Sequence, residues 1–232
     1  MSCEFLRFRE RGYDLLKGVG IEIGSFEHPA VVPYASNIIK CDRINIKDAK
    51  RLFPEVNCEK LEEPDLIFDL DTDGLNQFVS SSLEFVIMNH VIEHLVNPIS
   101  AIEEIARSLK PEGYFVVSAP DKEFTFDKNR PLSKTDEIIN IFLQKEQFAP
   151  IEKYLPVIKH VRTDLINAPA DVILRSLENF RDRREHLHVW HSVSFKKFLM
   201  DSFTLLKTNF KCRYEIMSDK NNFEYFGVWQ KC

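Results

Sequence analysis

The sequence predicts a doubly wound, mostly parallel α/β sheet, on three observations. Short apolar runs rich in Ile and Val recur through the first half, each ending in a polar residue or glycine. These runs are continuously apolar rather than alternating, the pattern of strands covered on both faces. A helical pattern separates the fourth run from the fifth, as in a sheet built from crossover units.

The elements follow in order. "GVGIEIG" (18–24) reads as the first strand, and its final glycine permits a tight turn beside a ligand. "NIIKCDRI" (37–44), "DLIFDL" (65–70) and "LEFVIMN" (83–89) read as the second to fourth. Asn97 is a cap signal and Pro98 suits a first helical turn; Ile99, Ile102, Ile105, Ala106 and Leu109 then share one face until "KPEG" stops the helix. "GYFVVSAP" (113–120) is the fifth strand. Towards the end, "SVSFKKFLMDSF" reads as a helix, and "CRYEIMSD" and "FEYFGVWQK" as a strand pair around "KNN". Residues 122–191 make an unusually long connection. They contain the helical stretches "DEIINIFLQ" and "DVILRSLENFRDRR". We read them as a helical cap inserted between strands five and six, over the carboxyl edge of the sheet.

Composition narrows the classes. A chain of 232 residues, 44% hydrophobic and 29% charged, suits one domain over 1–232 with 122–191 as its insertion. The net charge of −5 and the lack of a basic stripe argue against nucleic acid or an anionic membrane as partner. No run is long enough to span a bilayer, and the opening "MSCEFLRFRERGYDLL" is too charged for a signal peptide. Cys3, Cys41, Cys58, Cys212 and Cys232 have no C-x-x-C spacing and read as free thiols. A cytoplasmic protein with a small-molecule partner is expected.

In an open parallel sheet, ligands bind outside the carboxyl ends of the strands, where the strand order reverses. The residues at those ends are Glu22, Gly24 and Ser25, then Asp42, then Asp69, then Asn89 and His90, then Asp121. Asp42 stands eighteen residues past Gly24, placed to accept hydrogen bonds from both hydroxyls of a ribose. "GSFEHP" lacks the second glycine of a dinucleotide fingerprint, Glu27 would repel phosphate, and Pro29 takes the third glycine's place. A ligand that joins a ribose to an amino acid without phosphates tolerates these changes. S-adenosylmethionine is such a ligand.

"GIEIGS", "CDRI" and "LEFVIMNHVIEHLVNPISAIEEIARSLKPEGYFVVSAPD" together resemble the class I S-adenosylmethionine-dependent methyltransferases over residues 18–121. The resemblance implies a Rossmann-like seven-stranded sheet whose last strand is antiparallel, with S-adenosylmethionine as cofactor. It implies Glu22 and Gly24 by the methionine moiety with Ser25 in the loop beside it, and Asp42 on the ribose. It also implies Asp69 and Leu70 near the adenine, and Asn89, next to His90, facing the methionine end. Ser25 and Phe26 depart from the family, which usually has further glycines there. "PDKEFTFDKNRPLS" and "HLHVW" are similar to a bacterial subgroup associated with surface-polysaccharide or modified-sugar biosynthesis.

Two groups of histidines remain. On a helix starting near Asn89, His90, Glu93 and His94 would share one face. That geometry suits a metal, as in the similar E-x-x-E-H cluster of certain metal-dependent O-methyltransferases, but a packed helix start is the favoured reading, and no metal is expected. If "HLHVWH" is extended, His186, His188 and Trp190 project to one side. His188 and His186 are then the candidate bases, with Asp121 orienting one of them or itself taking the proton. The expected activity is methyl transfer to a hydroxyl or amine of a small polar metabolite, such as a sugar or nucleotide-activated sugar. The alternative is a non-catalytic relative that binds a protein partner.

Overall fold

The computed structural model describes residues 4–25, 28–56 and 61–232. Cys3, Phe26, Glu27 and Cys58, singled out above, lie outside the described residues. Seven strands form one sheet in the order β3-β2-β1-β4-β5-β7-β6. They are β1 (Gly18–Ile23), β2 (Ala35–Asp42), β3 (Leu66–Ile67), β4 (Leu83–Asn89), β5 (Leu109–Pro120), β6 (Phe210–Ile216) and β7 (Glu224–Lys231). Pairs among β1 to β5 are parallel, whereas β7 runs antiparallel to both β5 and β6. The sheet is therefore mixed at one edge. The chain leaves β1 towards β2 and β3, then returns to β4 on the other side of β1. This reversal opens a crevice at the carboxyl ends of β1 and β4.

Side-chain alternation sends the strands' apolar residues to two faces. Val86, Met88, Phe115, Val117, Tyr225 and Trp229 pack with α3 (Pro98–Ser108) and α7 (Ser192–Leu205) in the larger core. Phe85, Ile87, Val116, Phe226 and Val228 face Tyr13 and Leu16, in and just after the short N-terminal helix α1 (Glu10–Tyr13). A further helix, α2 (Ile46–Leu52), follows β2. The cap signal at Asn97 holds, since its side chain accepts from Ser100 N at 3.1 Å.

Three expectations need correction. β3 is two residues long, not six: it is an edge strand with Leu66 and Ile67 both exposed, and the Asp69 N–H turns away to Asp73. β5 starts at Leu109, so "KPEG" extends the strand. No helix begins at Asn89; His90 takes a left-handed φ of 53°, a single 3-10 turn covers Ile92–His94, and α3 starts only at Pro98. Among the described residues, no helix is long and apolar enough to cross a membrane. Cys41, Cys212 and Cys232 are free thiols.

Between β5 and α7 the chain forms α4 (Thr135–Gln144), α5 (Leu155–His160) and α6 (Ala170–Arg183). This insertion has a small core of its own, with Tyr154, Val157, Ile158, Leu177 and Phe180. Its two ends meet at Asp121, which forms a parallel bridge with Trp190. Asp121 Oδ2 accepts from Ser192 N at 2.7 Å, Ser192 Oγ at 2.8 Å and Ser218 Oγ at 2.7 Å, and Oδ1 accepts from Glu123 N at 3.0 Å.

That convergence generates a stability prediction. Asp121→Ala strands several buried donors and is expected to lower the unfolding free energy by about 3 kcal/mol. Ser218→Ala, which removes a single partner, should cost about 1 kcal/mol. Urea denaturation of the three proteins measures both; equal stability of Asp121→Ala and wild type would remove the carboxylate from this role.

Candidate functional site

A cavity of about 360 Å³ opens at the carboxyl ends of β1 and β4. β1 contributes Ile23 and Gly24; Asp42, Arg43 and Ile44 come from the end of β2; Phe68, Asp69 and Leu70 follow β3. Val91, His94 and Leu95 follow β4, while Phe126 and residues 183–186 come from the insertion. Gly24 is required twice over. Its φ is 73°, and a Cβ there would lie 2.4 Å from Val91 Cγ2.

Among the described residues, Asp42 is anchored at one oxygen only. Its Oδ1 accepts from Arg43 N at 2.6 Å and Ile44 N at 3.2 Å, leaving Oδ2 for a ligand. Burial pushes its pKa up to about 6, against those two backbone bonds. Asp69 Oδ1 accepts from Asp71 N, and its Oδ2 receives the Arg184 guanidinium. Arg184 also reaches Asp71 Oδ2 at 2.7 Å, and Asp71 in turn accepts from Val96 N and Asn97 N. The other cationic side chains here are also engaged. Arg183 pairs with Glu55 and Glu185 and lies over the Phe53 ring, while Arg43 donates to the Asp182 carbonyl at 3.1 Å. The wall thus offers a carboxylate for hydroxyls and apolar surface from Phe53, Phe68 and Leu70 for a base, with its arginines already paired. This donor set fits a nucleoside without phosphates.

The structure brings Gly24, Asp42, Asp69 and Leu70 together on this wall. Ser25 instead lines a small adjoining hollow with Asp42 and Ile44. Glu22 lies off the cavity: it is buried, both its oxygens take the Ala30 N–H, and burial raises its pKa to about 7. Asn89 donates to the Tyr13 hydroxyl at 3.0 Å. His90 stacks on Phe223 at 4.8 Å and bonds Glu224, which also pairs with Arg9. These expected methionine-end groups form a separate polar cluster.

The expected row of His186, His188 and Trp190 is broken by a bend at Leu187. There the Leu187 and His188 N–H groups both donate to the Glu93 carbonyl, at 2.8 and 3.0 Å. His186 therefore reaches the cavity, with Nδ1 on Asp127 Oδ2 at 2.6 Å. Burial alone would lower its pKa, but the Asp127 bond and the Glu93 charge raise it. His188 goes elsewhere. It stacks on Trp190 at 5.4 Å and lines a second cavity of about 290 Å³ with Arg130 and Lys134. Burial pushes its pKa down to about 4, which keeps the ring neutral at neutral pH. Asp121 is likewise committed to Ser192, Ser218 and Glu123, and those bonds, against burial, hold it below the usual carboxylate range. His188 and Asp121 thus both lie off the wall of the first cavity.

Sequence reasoning missed Arg184, Phe126 and the meeting of Glu93 with His94 and His186. "RDRR", which ends a helical stretch, is the visible signal: its last two arginines form part of the cavity wall.

Residues 4–202 match the model of a family described as a methyltransferase domain. No curated protein matches the sequence. Among solved structures, a SAM-dependent methyltransferase from Aquifex aeolicus is 12% identical, with 95% of this chain and 86% of that one covered and a TM-score of 0.45. One from Methanosarcina mazei is 13% identical, with 95% of each chain covered and a TM-score of 0.45. The CurJ carbon methyltransferase is 11% identical with a TM-score of 0.45; 92% of this chain is covered but only 48% of that one, so this chain spans about half its length. Likeness at such identities concerns the fold alone. With the family match running over most of its length, the chain belongs to the methyltransferase-domain family, and its cofactor is S-adenosylmethionine.

Proposed function

We propose that the protein transfers a methyl group to a hydroxyl or amine of a small polar metabolite, with a sugar or nucleotide-activated sugar as the favoured class. S-adenosylmethionine supplies an electrophilic methyl on a sulfonium, open to in-line displacement. One observation carries the reading: a single cavity joins Gly24 and Asp42 to Phe126, Arg184 and His186. Groups from the strand ends and polar groups from the helical insertion share one wall, so cofactor and acceptor can meet there. In this reading the insertion is a cap, and its residues form the acceptor side. Asp42 holds the ribose hydroxyls through Oδ2, Gly24 admits the cofactor close to the backbone, and Asp69 and Leu70 border the adenine. His186 is the one expected catalytic side chain on the cavity wall. Much of the rate comes from holding acceptor and sulfonium in line. Arg184, which ties Asp69 and Asp71 to the end of α6, latches the cap.

Calorimetric titration with S-adenosylhomocysteine tests the reading. Micromolar binding is expected, weakened about ten- to a hundredfold by Asp42→Ala, the loss of hydrogen bonds to a charged group. Because Asp42 titrates at about 6, affinity should be full above neutral pH and fall as the pH drops through 6 and the carboxyl takes a proton. Asp42→Asn should flatten that profile. Absence of binding by the folded wild type would leave a module that binds a protein partner.

Arg184 generates a kinetic prediction. It sits in the left-handed region at φ 54°, so Arg184→Gly removes the ion pairs without backbone strain. Dissociation of S-adenosylhomocysteine, followed by stopped flow, should speed up by roughly tenfold, the loss of about 1.4 kcal/mol of half-buried pairing. An unchanged rate would show that the latch does not act on the cofactor.

A further inference from the structure

We propose that Glu93, His94 and His186 bind a divalent transition-metal ion at the edge of the cofactor cavity. The carboxylate of Glu93 is the starting point. It is 1% exposed, and among the described residues neither oxygen has a hydrogen-bond partner. A buried carboxylate in that condition is among the costliest groups a fold can hold. His94 Nε2 and His186 Nε2 lie 3.8 and 3.9 Å from Oε1, too far for hydrogen bonds. The candidate ligand atoms of the three residues all lie within 4.8 Å of one another.

The opposite ring nitrogens decide what faces that carboxylate. His94 Nδ1 bonds the Arg184 carbonyl, which only accepts, so Nδ1 carries the proton and the neutral ring turns a lone pair towards Glu93 from Nε2. His186 Nδ1 lies 2.6 Å from Asp127 Oδ2, and Asp127, paired also with Arg130 at 2.7 Å, is an acceptor. His186 therefore donates from Nδ1 and, as a neutral ring, likewise turns a lone pair inward. Burial favours a proton on Glu93, but at 3.8 and 3.9 Å its O–H would reach neither ring nitrogen, whereas a cation among the three acceptors satisfies all of them. A rival occupant is a proton on His186 Nε2. At 3.9 Å it makes no hydrogen bond, and it leaves the His94 lone pair facing the same oxygen.

The surroundings match a metal in two further ways. Ring N–H groups held by a carbonyl and by a carboxylate are the outer contacts that orient imidazole ligands. A tetrahedral ion with bonds of about 2.0–2.1 Å spaces its ligands roughly 3.3 Å apart, so the closest pairs need to draw in by about half an ångström. Two imidazoles and a carboxylate select Zn²⁺, Co²⁺, Ni²⁺ or Fe²⁺ over Mg²⁺ or Ca²⁺, which take oxygen ligands. His90 Nδ1, 3.7 Å from Glu93 Oε1, is the next nitrogen within reach.

His94 and His186 both line the cavity, so the remaining coordination positions face it. In a role that rests on the methyltransferase reading, the ion acts there as a Lewis acid. It holds an acceptor hydroxyl and lowers its pKa, so that the proton passes to water before the oxygen takes the methyl. This supplies the deprotonation for which His188 and Asp121 are unavailable.

The test is titration of the chelator-treated full chain with Co²⁺ in the absence of cofactor, read by calorimetry and visible absorption. The expected result is one equivalent bound, with the ligand-field bands of a nitrogen-and-oxygen site. His94→Ala and His186→Ala should each weaken binding by at least about a hundredfold. His188→Ala, a buried histidine outside the cluster, should leave it within a few-fold of wild type. Folding of each variant is checked by circular dichroism. A folded wild type that takes up no stoichiometric Co²⁺ overturns the site, as does uptake that survives the double His94→Ala, His186→Ala variant. S-adenosylhomocysteine binding by the metal-free protein is read separately, so failure of the metal site and failure of the methyltransferase reading are distinguishable.

Discussion

The hydrogen bonding of Asp121 is the constraint on which the site depends. An insertion of some seventy residues closes a long loop, and the entropy of that closure is offset where its ends meet. Those ends meet at the Asp121–Trp190 bridge, fixed by Ser192 at the start of α7 and Ser218 before β7. Beneath the bridge Trp190 packs on Phe195 and Phe198 at 5.0 and 5.2 Å. The returning chain is thereby laid along the carboxyl edge, where it gives two N–H groups to the Glu93 carbonyl. The approach of Arg184 and His186 to the cavity thus follows from a joint several residues away.

Among the described residues, the buried carboxylates follow a consistent rule with one exception. Glu224 is buried with Arg9 and His90, Asp71 with Arg184 and two backbone N–H groups, and Asp127 with Arg130 and His186. In each case fixed partners replace the water that burial removed. Glu93 alone among these carboxylates has no hydrogen bond to either oxygen. Single atoms of Asn89, Arg130, His188 and Trp229 also lack partners, but Glu93 is the buried acid that lacks them at both oxygens, which calls for a specific cause. Its position beside two cavity-lining histidines supplies one.

The parts of the fold that were legible depend on local pattern. Continuous apolar runs marked the strands, and Asn97-Pro98 marked the start of α3, because burial on both faces and capping are short-range demands. That Gly24 and Asp42 stand at the crevice was legible for the same reason, since a strand end fixes its own neighbours. The third strand was over-read because "DLIFDL" has strand composition, yet an edge position pairs only Leu66 and Ile67 with β2. α5 was passed over because its apolar run is too short to show a period. The direction of His188 was beyond the sequence altogether, for it depends on a bend held by the Glu93 carbonyl, far away along the chain.

The segment "HVIEH" shows how residues close in sequence can take a geometry that helical spacing does not predict. On a continuous helix His90, Glu93 and His94 would project together, and either all three or none would meet a ligand. The left-handed turn at His90 alters that arrangement, although His90 Nδ1 stays 3.7 Å from Glu93 Oε1. It sends His90 to Glu224, carries Glu93 into the interior on one 3-10 turn, and leaves His94 bonded to the Arg184 carbonyl. The partner that completes the group, His186, comes from the insertion and not from the motif. Helical spacing could therefore point to Glu93 and His94 but not to the third residue, because that residue is delivered by the joint at Asp121.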